Sequence, residues 1–545
     1  MEEPSTVPAG HENEQTPLLQ SFQDRQFHVL SSKQLLVVFP ALALVQFTSF
    51  LDQTAVSTAL PAIADGLNIG SSISWIGTSF LVTSTSIQLI NGRLSDIFGR
   101  KSCLITALTI MALGNIASGF SASPSELYAT RAFSGLGAGA INALVQIAVS
   151  DYTTLEQRGY YFGIIGVATA LGNGLGPVVG GTLTEQTSWR WTFWFIGPLA
   201  GVAVVNLAFV LPQSGASTRG IWRQLQLMDW LGMFTSMVAT ILILIPLSQG
   251  GSAASWTSPT VMIMLSTGVC LFLVFLVVEW RFIKLPLLPL HLFQYGLSTN
   301  ILLTMNVIIG WVFWANLFYI PLYFQNVRGW SPATAGSLIL PMVIAHGATS
   351  ALSGILVAAT GRYTRIISGG AALWTIGAIG KTLYGQTTPV WSFFVVGIFE
   401  GFGVGCSLQP VLVGLLAGSL NADRAVLTGL RNFIRDIGGA MGITVSGTIM
   451  NNVLYSGLKG KLSPEVISQL TSSAFALRNT DLSDDDKQLV STVYMRGVQA
   501  VFVSYAVLTA IYFLCSLFIE DYGLGGKYAH AESSVTANPE GTEEY

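Results

Sequence analysis

The chain has 545 residues, of which 51% are hydrophobic and only 10% charged, and its net charge is −3. Soluble domains carry roughly 25% charged residues, so this composition excludes a soluble globular protein and indicates a membrane protein. The charge balance indicates no nucleic acid as a partner. The four cysteines stand singly in apolar runs, which predicts packing roles, no disulfide and no metal site, and we expect no cofactor.

Residues 1–34 are polar, and we expect them to form a disordered cytoplasmic tail. The tail contains ENEQTPLL, in which Glu14 stands four residues before Leu18 and Leu19. This pattern resembles an acidic dileucine sorting signal for a vacuole or lysosome, and the alternative is an ordinary tail. The apolar run that follows is too long for a signal peptide, so we expect no cleaved leader.

Apolar runs long enough to cross a membrane, about 20 residues each, follow the tail. They predict fourteen spans, at 35–63, 72–91, 102–120, 126–149, 160–183, 189–211, 228–248, 258–280, 298–324, 333–359, 364–384, 389–416, 425–453 and 491–519. We therefore predict an all-α integral membrane protein with two six-helix bundles and two inserted helices. The predicted units are the tail 1–34, a first bundle 35–212, a linker 213–297 with the inserted helices, a second bundle 298–520 and a disordered cytoplasmic tail 521–545.

Positive charges lie mostly on one side of these spans. The loops of that side hold Arg93, Arg100, Lys101, Arg158, Arg219, Arg223, Arg281, Lys284, Arg362, Arg365 and Arg424. The short loops of the other side hold Arg190 and Arg328, with Lys381 at an outer helix end. The positive-inside rule then places both termini in the cytoplasm and a long loop, from about Leu454 to Tyr494, outside.

The two ends of the chain repeat each other. GIIGVATALGNGLGPVVGGTL (163–183) aligns without gaps with GLRNFIRDIGGAMGITVSGTI (429–449), and four glycines coincide. The same offset aligns SGLGAG, beginning at Ser134, with EGFGVG, beginning at Glu400. Two six-helix bundles related by a parallel repeat are a transporter architecture, in which the substrate is handled between the halves.

Four motifs also resemble those of one transporter family. They are LDQTAVSTALP (51–61), GRLSDIFGRK (92–101), LYATRAFSGLGAG (127–139) and GNGLGPVVGG (172–181). They resemble motifs of the major facilitator superfamily, and the first is similar to that of its fourteen-span drug:proton antiporters, which are abundant in fungi. The resemblance implies a proton-coupled exporter of small organic compounds that works by alternating access. Its expected partners are a small-molecule substrate, protons and the lipid bilayer, and we expect a monomer.

Asp52 is a single acid within an apolar run, where an ionised carboxylate is costly. At 1.5 Å per residue, Asp52 on span 1 and Arg131 on span 4 reach similar depths, so we expect them to pair. Arginine stays protonated, so any exchanged proton must bind the acid. The functional hypothesis is that Asp52 binds the coupling proton while Arg131 adjusts its proton affinity. The alternative is a static ion pair between the two spans.

Glu400 is a second acid inside a span, and it interrupts the repeat at the position of Ser134. A second proton and a cationic substrate are both plausible partners, and the alternative is a neutral buried carboxyl satisfied by a neighbour. His346 is expected to be a packing residue, with a proton role as the alternative. Arg431 and Arg435 share a helix face near the predicted inner gate, where structural support is the expected role.

The loop GRLSDIFGRK is predicted to be a conformational gate. Its candidate residues are Gly92, Arg93, Asp96, Gly99, Arg100 and Lys101. The two glycines allow helix ends to approach closely, and Asp96 is predicted to bond to a neighbouring helix end until the cavity opens inward. The alternative is that the charges only set topology. Asp96 aligns with Ala358 in the repeat, which predicts a weaker second gate.

Span 5 carries an antiporter-type motif. Its candidate residues are Gly172, Gly176, Pro177, Gly180 and Gly181. A proline amid glycines predicts a bent helix that packs tightly on its neighbours and shapes the interface between the halves.

Polar and aromatic residues within the central spans are the candidates for substrate contact, chosen by position alone. They are Gln53, Asn142, Gln146 and Asn173 in the first half and Trp311, Trp314, Asn316 and Gln409 in the second.

Glycine-rich stretches that resemble nucleotide-binding loops lie inside apolar spans without a preceding strand, so they predict no ATP-driven pump. No nucleophile–base set is visible, so an enzyme is not expected. The leading hypothesis is a plasma-membrane exporter of drugs, toxins or specialised metabolites. The runner-up is a vacuolar proton-coupled transporter of amino acids, basic ones first. A nutrient sensor on the same fold would not need Asp52.

Overall fold

The computed structural model describes residues 30–67, 69, 75–212, 229–249, 256–281, 287–288, 290–420, 423–464, 466–467, 470 and 483–523. Several predictions concern residues outside this set, namely the sorting-signal residues Glu14, Leu18 and Leu19 and the loop charges Arg219, Arg223 and Lys284. The described part of the chain is helical almost throughout, which confirms the all-α prediction.

The described helices fall into three groups. The first bundle comprises α1 (Ser32–Leu67), α2 (Trp75–Phe98), α3 (Arg100–Phe120), α4 (Pro124–Tyr152), α5 (Leu155–Gln186), α6 (Trp189–Trp194) and α7 (Ile196–Val210). The inserted pair is α8 (Trp230–Gln249) and α9 (Pro259–Arg281). The second bundle comprises α10 (Leu297–Leu322), α11 (Pro332–Ser337), α12 (Leu340–Thr360), α13 (Thr364–Thr382), α14 (Val390–Ala417), α15 (Arg424–Leu458) and α16 (Asp484–Ser516).

Within the described residues, 11 helical segments are long and apolar enough to cross a membrane. Helices α2, α13 and α15 coincide with three further predicted spans but carry more polar residues. Helix α15, for example, buries the charged residues Arg431, Arg435 and Asp436. The protein is therefore a multi-pass membrane protein, and the count of fourteen crossings stays a prediction.

Helix ends differ from the predicted spans where local features decide them. Helix α1 begins at Ser32, within the predicted tail. The predicted span 189–211 is two helices that meet at Phe195, whose own dihedral angles are helical, so the break is slight. Helix α15 continues to Leu458 and takes up the start of the predicted long outer loop.

Corresponding helices of the two bundles pack in corresponding pairs. Helix α1 lies on α5, and α4 lies on α2 and α3; in the second bundle α10 lies on α15, and α14 lies on α12 and α13. A Cβ atom added to Gly139 of α4 would lie 2.0 Å from the Ser84 carbonyl oxygen, and one added to Gly405 of α14 would lie 2.8 Å from the His346 carbonyl oxygen. Equivalent glycines thus allow equivalent close contacts, as the sequence repeat predicts.

The two bundles meet along α5 with α12 and along α2 with α15, and the inserted helix α8 packs against α2 and α15. We call the end of the molecule with the turns at Gly99, Thr153 and Gly361 the inner end, because the loop charges predicted for the cytoplasmic side lie there. A Cβ atom on Gly92 of α2 would lie 3.2 Å from the Ala425 carbonyl oxygen of α15. The bundles are therefore in backbone contact near the inner end.

Candidate functional site

Asp52 of α1 and Arg131 of α4 are in direct contact inside the first bundle. Arg131 Nη1 lies 2.9 Å from Asp52 Oδ1, and each residue is only 1% exposed. Asn115 of α3 completes the cluster: its Nδ2 donates to Asp52 Oδ2 at 3.0 Å, and its Oδ1 accepts from Arg131 Nη1 at 3.4 Å. The predicted contact is confirmed, and Asn115 was missed. We call these three residues the Asp52 cluster.

Aromatic rings enclose the cation of this cluster. The Arg131 guanidinium lies 4.3 Å from the centre of the Phe80 ring and 5.5 Å from that of Phe193. A cation over an aromatic face is stabilised electrostatically, most of all where water is absent. If Asp52 took up a proton, the rings and the Asn115 carbonyl would still stabilise Arg131. The cluster can thus exist with a net charge of zero or of plus one.

Glu400 of α14 has a cation partner that sequence analysis assigned to another role. Lys381 Nζ lies 2.7 Å from Glu400 Oε1, and both side chains are 1% exposed. Asn316 Nδ2 donates to Glu400 Oε2 at 3.1 Å, and its Oδ1 accepts from Lys381 Nζ. Lys381 lies in the last turn of α13, at the helix end where it was predicted, but its side chain is buried in the bundle, which sequence analysis missed. Asn316, predicted to line the substrate cavity, is part of this Glu400 cluster, and its contact with a substrate stays a prediction.

The gate loop is held by an ion-pair network at the inner end. Arg100 lies 2.7 Å from both Asp96 and Asp151, the latter at the inner end of α4. Asp96 of α2 therefore bonds to a neighbouring helix end, as predicted, since Arg100 is the first residue of α3. That this bond breaks when the cavity opens inward stays a prediction. Lys101 Nζ donates to the carbonyl oxygens of Ala208 and Leu211 at 2.7 and 2.8 Å, which satisfies the end of α7.

The two glycines of this loop act differently. Gly92 is the close-approach position, facing the α15 backbone. Gly99 has a φ of 85°, in the region that favours glycine, and it makes the turn between α2 and α3. Arg93 acts electrostatically on Asp423, which stands at the start of α15. The loop therefore contacts the second bundle through Gly92 and interacts with it electrostatically through Arg93.

Polar side chains bridge the two bundles near the inner end. Gln146 Oε1 of α4 accepts from both Arg431 Nη1 and Asn432 Nδ2 of α15, each at 3.2 Å. Gln88 Nε2 of α2 donates to Asp436 Oδ2 of α15 at 2.7 Å. These bonds agree with the predicted supporting role of this part of α15. They must break if the bundles separate at this end.

Two of the predicted cavity residues, Asn142 and Gln146, belong to an amide chain in the first bundle. Asn142 Oδ1 accepts from Gln46 Nε2 at 3.1 Å and from Gln146 Nε2 at 3.3 Å. Gln46 lies on α1, six residues before Asp52. Sequence analysis did not select it as a site residue, because an isolated amide in an apolar run is also common in helix packing. Gln53 is half-buried on the same helix.

The remaining predicted cavity residues carry buried polar atoms that have no hydrogen-bond partner within the described part of the chain. These are both amide atoms of Asn173, Oε1 of Gln409 and the indole nitrogens of Trp311 and Trp314, as well as Nε2 of His346. Unsatisfied buried polar groups cost about 1–3 kcal/mol each.

The glycine motif of α5 packs tightly, as predicted, and mainly against α1 of its own bundle. Added Cβ atoms would lie 2.8 Å from Phe50 at Gly172, 2.0 Å from Thr54 at Gly176, 2.0 Å from Ala55 at Gly180 and 3.7 Å from Thr58 at Gly181. The Pro177 carbonyl accepts from Thr58 Oγ1 at 3.0 Å.

The same helix also faces the second bundle, which agrees with the predicted contribution to the interface between the halves. A Cβ atom added to Gly174 of the motif would lie 2.7 Å from Val343 of α12. Outside the motif, Gly159 and Gly163 of α5 lie against Gly354 and Ala351 of the same helix α12.

Comparison with known proteins agrees with this architecture. The sequence model of the Major Facilitator Superfamily matches residues 42–443. The chain is 37% identical to Citrate exporter 1 of Yarrowia lipolytica, over 92% of this chain and 74% of that protein. It is 31% identical to Efflux pump dotC of Dothistroma septosporum, over 89% of this chain and 84% of that protein.

A solved structure of the human organic anion transporter MFSD10 has the same fold. It matches with a TM-score of 0.57 over 88% of this chain and 99% of that one, at 14% identity. Together with the family match and the paired packing of the two bundles, this likeness of fold identifies the architecture. The chain belongs to the Major Facilitator Superfamily and is a multi-pass membrane transporter, not an enzyme.

Proposed function

We propose that this transporter is a proton-coupled antiporter of the fourteen-span branch, which exports small organic compounds across the plasma membrane by alternating access. The observation that carries the proposal is the Asp52 cluster. It contains one group that can take up a proton, held by an arginine that keeps its own charge. Proton binding changes the net charge of a site enclosed by α1, α3 and α4, so it changes the interactions that hold these helices.

The contacts between the bundles support alternating access. Arg431 donates to Gln146 and Gln88 donates to Asp436, and both bonds join the two bundles. A cycle in which protons enter from outside and a compound leaves requires these bonds to break and reform. The names of the similar proteins, a citrate exporter and an efflux pump, support export of small organic compounds.

The charge near the centre favours anionic or neutral substrates over basic amino acids. Arg431 is buried, and its hydrogen bonds within the described part of the chain go to neutral acceptors, Asn306, Gln146, Asn432 and the Leu408 carbonyl. A cationic substrate close to this guanidinium would be repelled in a medium of low dielectric constant.

The proposal is tested with purified protein in sealed liposomes under an imposed pH gradient, using labelled citrate and a panel of amino acids and dyes as probes. Asp52→Asn is expected to abolish gradient-driven transport but to retain exchange of the probe at equal pH. Asp65→Asn, at an exposed position of the same helix, is the matched control and should behave as the native protein. Gradient-driven transport by Asp52→Asn at the native rate would refute the proposal.

A further inference from the structure

The Glu400 cluster has the same composition as the Asp52 cluster, with the roles exchanged between helices. In the repeat Glu400 takes the position of Ser134, one turn from Arg131, and the Asp52 counterpart falls near Trp314–Asn316. Each bundle thus contains one acid, one amide and one base on three corresponding helices. The acid, the amide and the base stand on different helices in the two bundles, so this common composition is not an unchanged remnant of the repeat.

The surroundings of the two cations also correspond. Lys381 Nζ lies 5.1 Å from the centre of the Phe502 ring and 5.4 Å from that of Tyr505, both on α16. Besides Lys381, the titratable groups that face Glu400 electrostatically are Tyr384, after α13, and Tyr505. On α10 the facing group is the neutral Asn316, and on α12 it is Met342, whose sulfur lies 4.0 Å from Asn316 Nδ2. The aromatic rings would stabilise Lys381 if its counter-ion became neutral.

The amide is suited to both protonation states of the acid. Asn316 contacts the acid through its amino group and the base through its carbonyl oxygen. An amide both donates and accepts, so it can hold either a carboxylate or a carboxylic acid. A static ion pair has no need of this adaptability, and apolar residues of similar volume are often as stable as a buried pair.

From this geometry we infer that the second bundle contains a second proton-binding site. Glu400 is the group that binds and releases the proton, Lys381 is its counter-ion, and Asn316 positions the carboxyl group. Proton uptake converts the Glu400 carboxylate to a carboxylic acid and raises the net charge of the cluster by one. The use of this proton in transport rests on the proposed antiport and gives two protons per cycle, one for each bundle. Proton binding itself does not depend on that function.

The test for proton binding is infrared difference spectroscopy of the purified protein in lipid, titrated between about pH 4 and pH 9. The native protein should show carbonyl-stretch signals of protonated carboxyl groups that grow as the pH falls. One such signal should be absent from Lys381→Met/Glu400→Gln, and a different one from Asp52→Asn. Lys381→Gln/Glu400→Gln serves as the second variant if the first does not fold. Superimposable spectra of the native protein and the folded double variant would overturn the inference.

The coupling role has a separate measurement. At equilibrium in sealed liposomes, the logarithm of the probe concentration ratio should change with the pH difference, and the slope should fall by one proton in the folded double variant. An unchanged slope, with active transport, would overturn the second coupled proton. If the probe concentration ratio of the native protein did not change with the pH difference, the antiport proposal would be refuted. The Glu400 infrared signal would still decide whether Glu400 binds a proton.

Discussion

Among single residues, Asn115 determines how the acid and the base of the Asp52 cluster are held. It bonds to both partners, whereas Asp52 and Arg131 also contact each other directly. Asn115→Ala therefore keeps the ion pair and removes two bonds to charged groups, each worth about 1.5–3 kcal/mol. We expect gradient-driven transport to slow by roughly tenfold or more, since 1.4 kcal/mol corresponds to a factor of ten, and to remain coupled.

The matched control for this change is Thr109→Ala on the same helix. The Thr109 hydroxyl is exposed and bonds within α3, to the Ile105 carbonyl at 2.8 Å. Initial rates for both variants in the same liposomes are the measurement. A native rate for Asn115→Ala would show that the ion pair alone orients the acid.

Asp423 makes a pH-sensitive contribution to stability at the inner end. Burial alone would raise the pKa of its carboxyl group, but bonds from His291, at 2.8 Å, and Tyr295, with the charge of Arg93, lower this pKa below 3.8. A carboxyl group whose pKa is lower in the folded than in the unfolded protein stabilises the fold at any pH above its unfolded-state pKa. This stabilisation is lost as the pH falls through its folded-state pKa. We expect Asp423→Asn to unfold at a lower temperature at pH 5, with a difference that shrinks below pH 3.8.

Thermal unfolding in detergent between about pH 5 and pH 2.5 is the measurement. The nearby exposed acid Asp521 provides the control variant Asp521→Asn, for which we expect a smaller difference at pH 5. A difference for Asp423→Asn that stays constant with pH would contradict the assigned cause.

Sequence analysis found the charged members of the Asp52 cluster and missed its amide. Asp52 and Arg131 stand out because a charge in an apolar run is costly, and the helical rise per residue gives their depth. Asn115 has no such signal, since neutral amides are common in helix packing. Lys381 was misread because a lysine at the end of a span is normally a topology residue, and sequence does not show where a flexible side chain points.

For the helices, close packing at glycine is the main determinant of position. The backbone of Ser84 on α2 lies against Gly139 of α4, where an added Cβ atom would be 2.0 Å from a carbonyl oxygen. Because backbone cannot move aside cheaply, we expect Gly139→Val to destabilise the protein by about 1–3 kcal/mol or more. Its unfolding temperature and its yield in membranes are the measurements.

Gly77→Val on α2 is the control for this substitution. An added Cβ atom at Gly77 meets nothing within 4 Å, and the position is exposed. We expect its unfolding temperature to stay near that of the native protein. An equal fall in unfolding temperature in the two variants would mean that the loss of stability comes from helix propensity and not from the contact with α2.

The existence of the helices was predictable from apolar runs, whereas their partners were not. The motif at Gly172 to Gly181 shows that one face of α5 carries small residues, but it does not show that this face packs against α1. Small residues allow a close approach by any neighbouring helix, and the neighbour is chosen by the packing of the whole bundle.

For the whole molecule, the repeat predicted two related bundles, and the structure adds that their backbones are in contact at the inner end. Gly92 meets Ala425, and Gly159 meets Gly354, at positions within two turns of the inner helix ends. Sequence could not show this, because both open and closed arrangements use the same helices and the same motifs. Transport requires that these contacts separate.

Linking α2 of the first bundle to α15 of the second should therefore stop transport. Gln88 of α2 and Asp436 of α15 are hydrogen-bonded across the interface at 2.7 Å. In a background in which the four native cysteines are alanine, Gln88→Cys/Asp436→Cys treated with a reducible cross-linker that carries two thiol-reactive groups should lose probe transport. Reduction of the link should restore it to the rate of the untreated double variant. The two single-cysteine variants, treated alike, should keep their activity. Full transport by the linked protein would show that α2 and α15 stay together through the cycle, and the opening would then have to occur along α5 and α12.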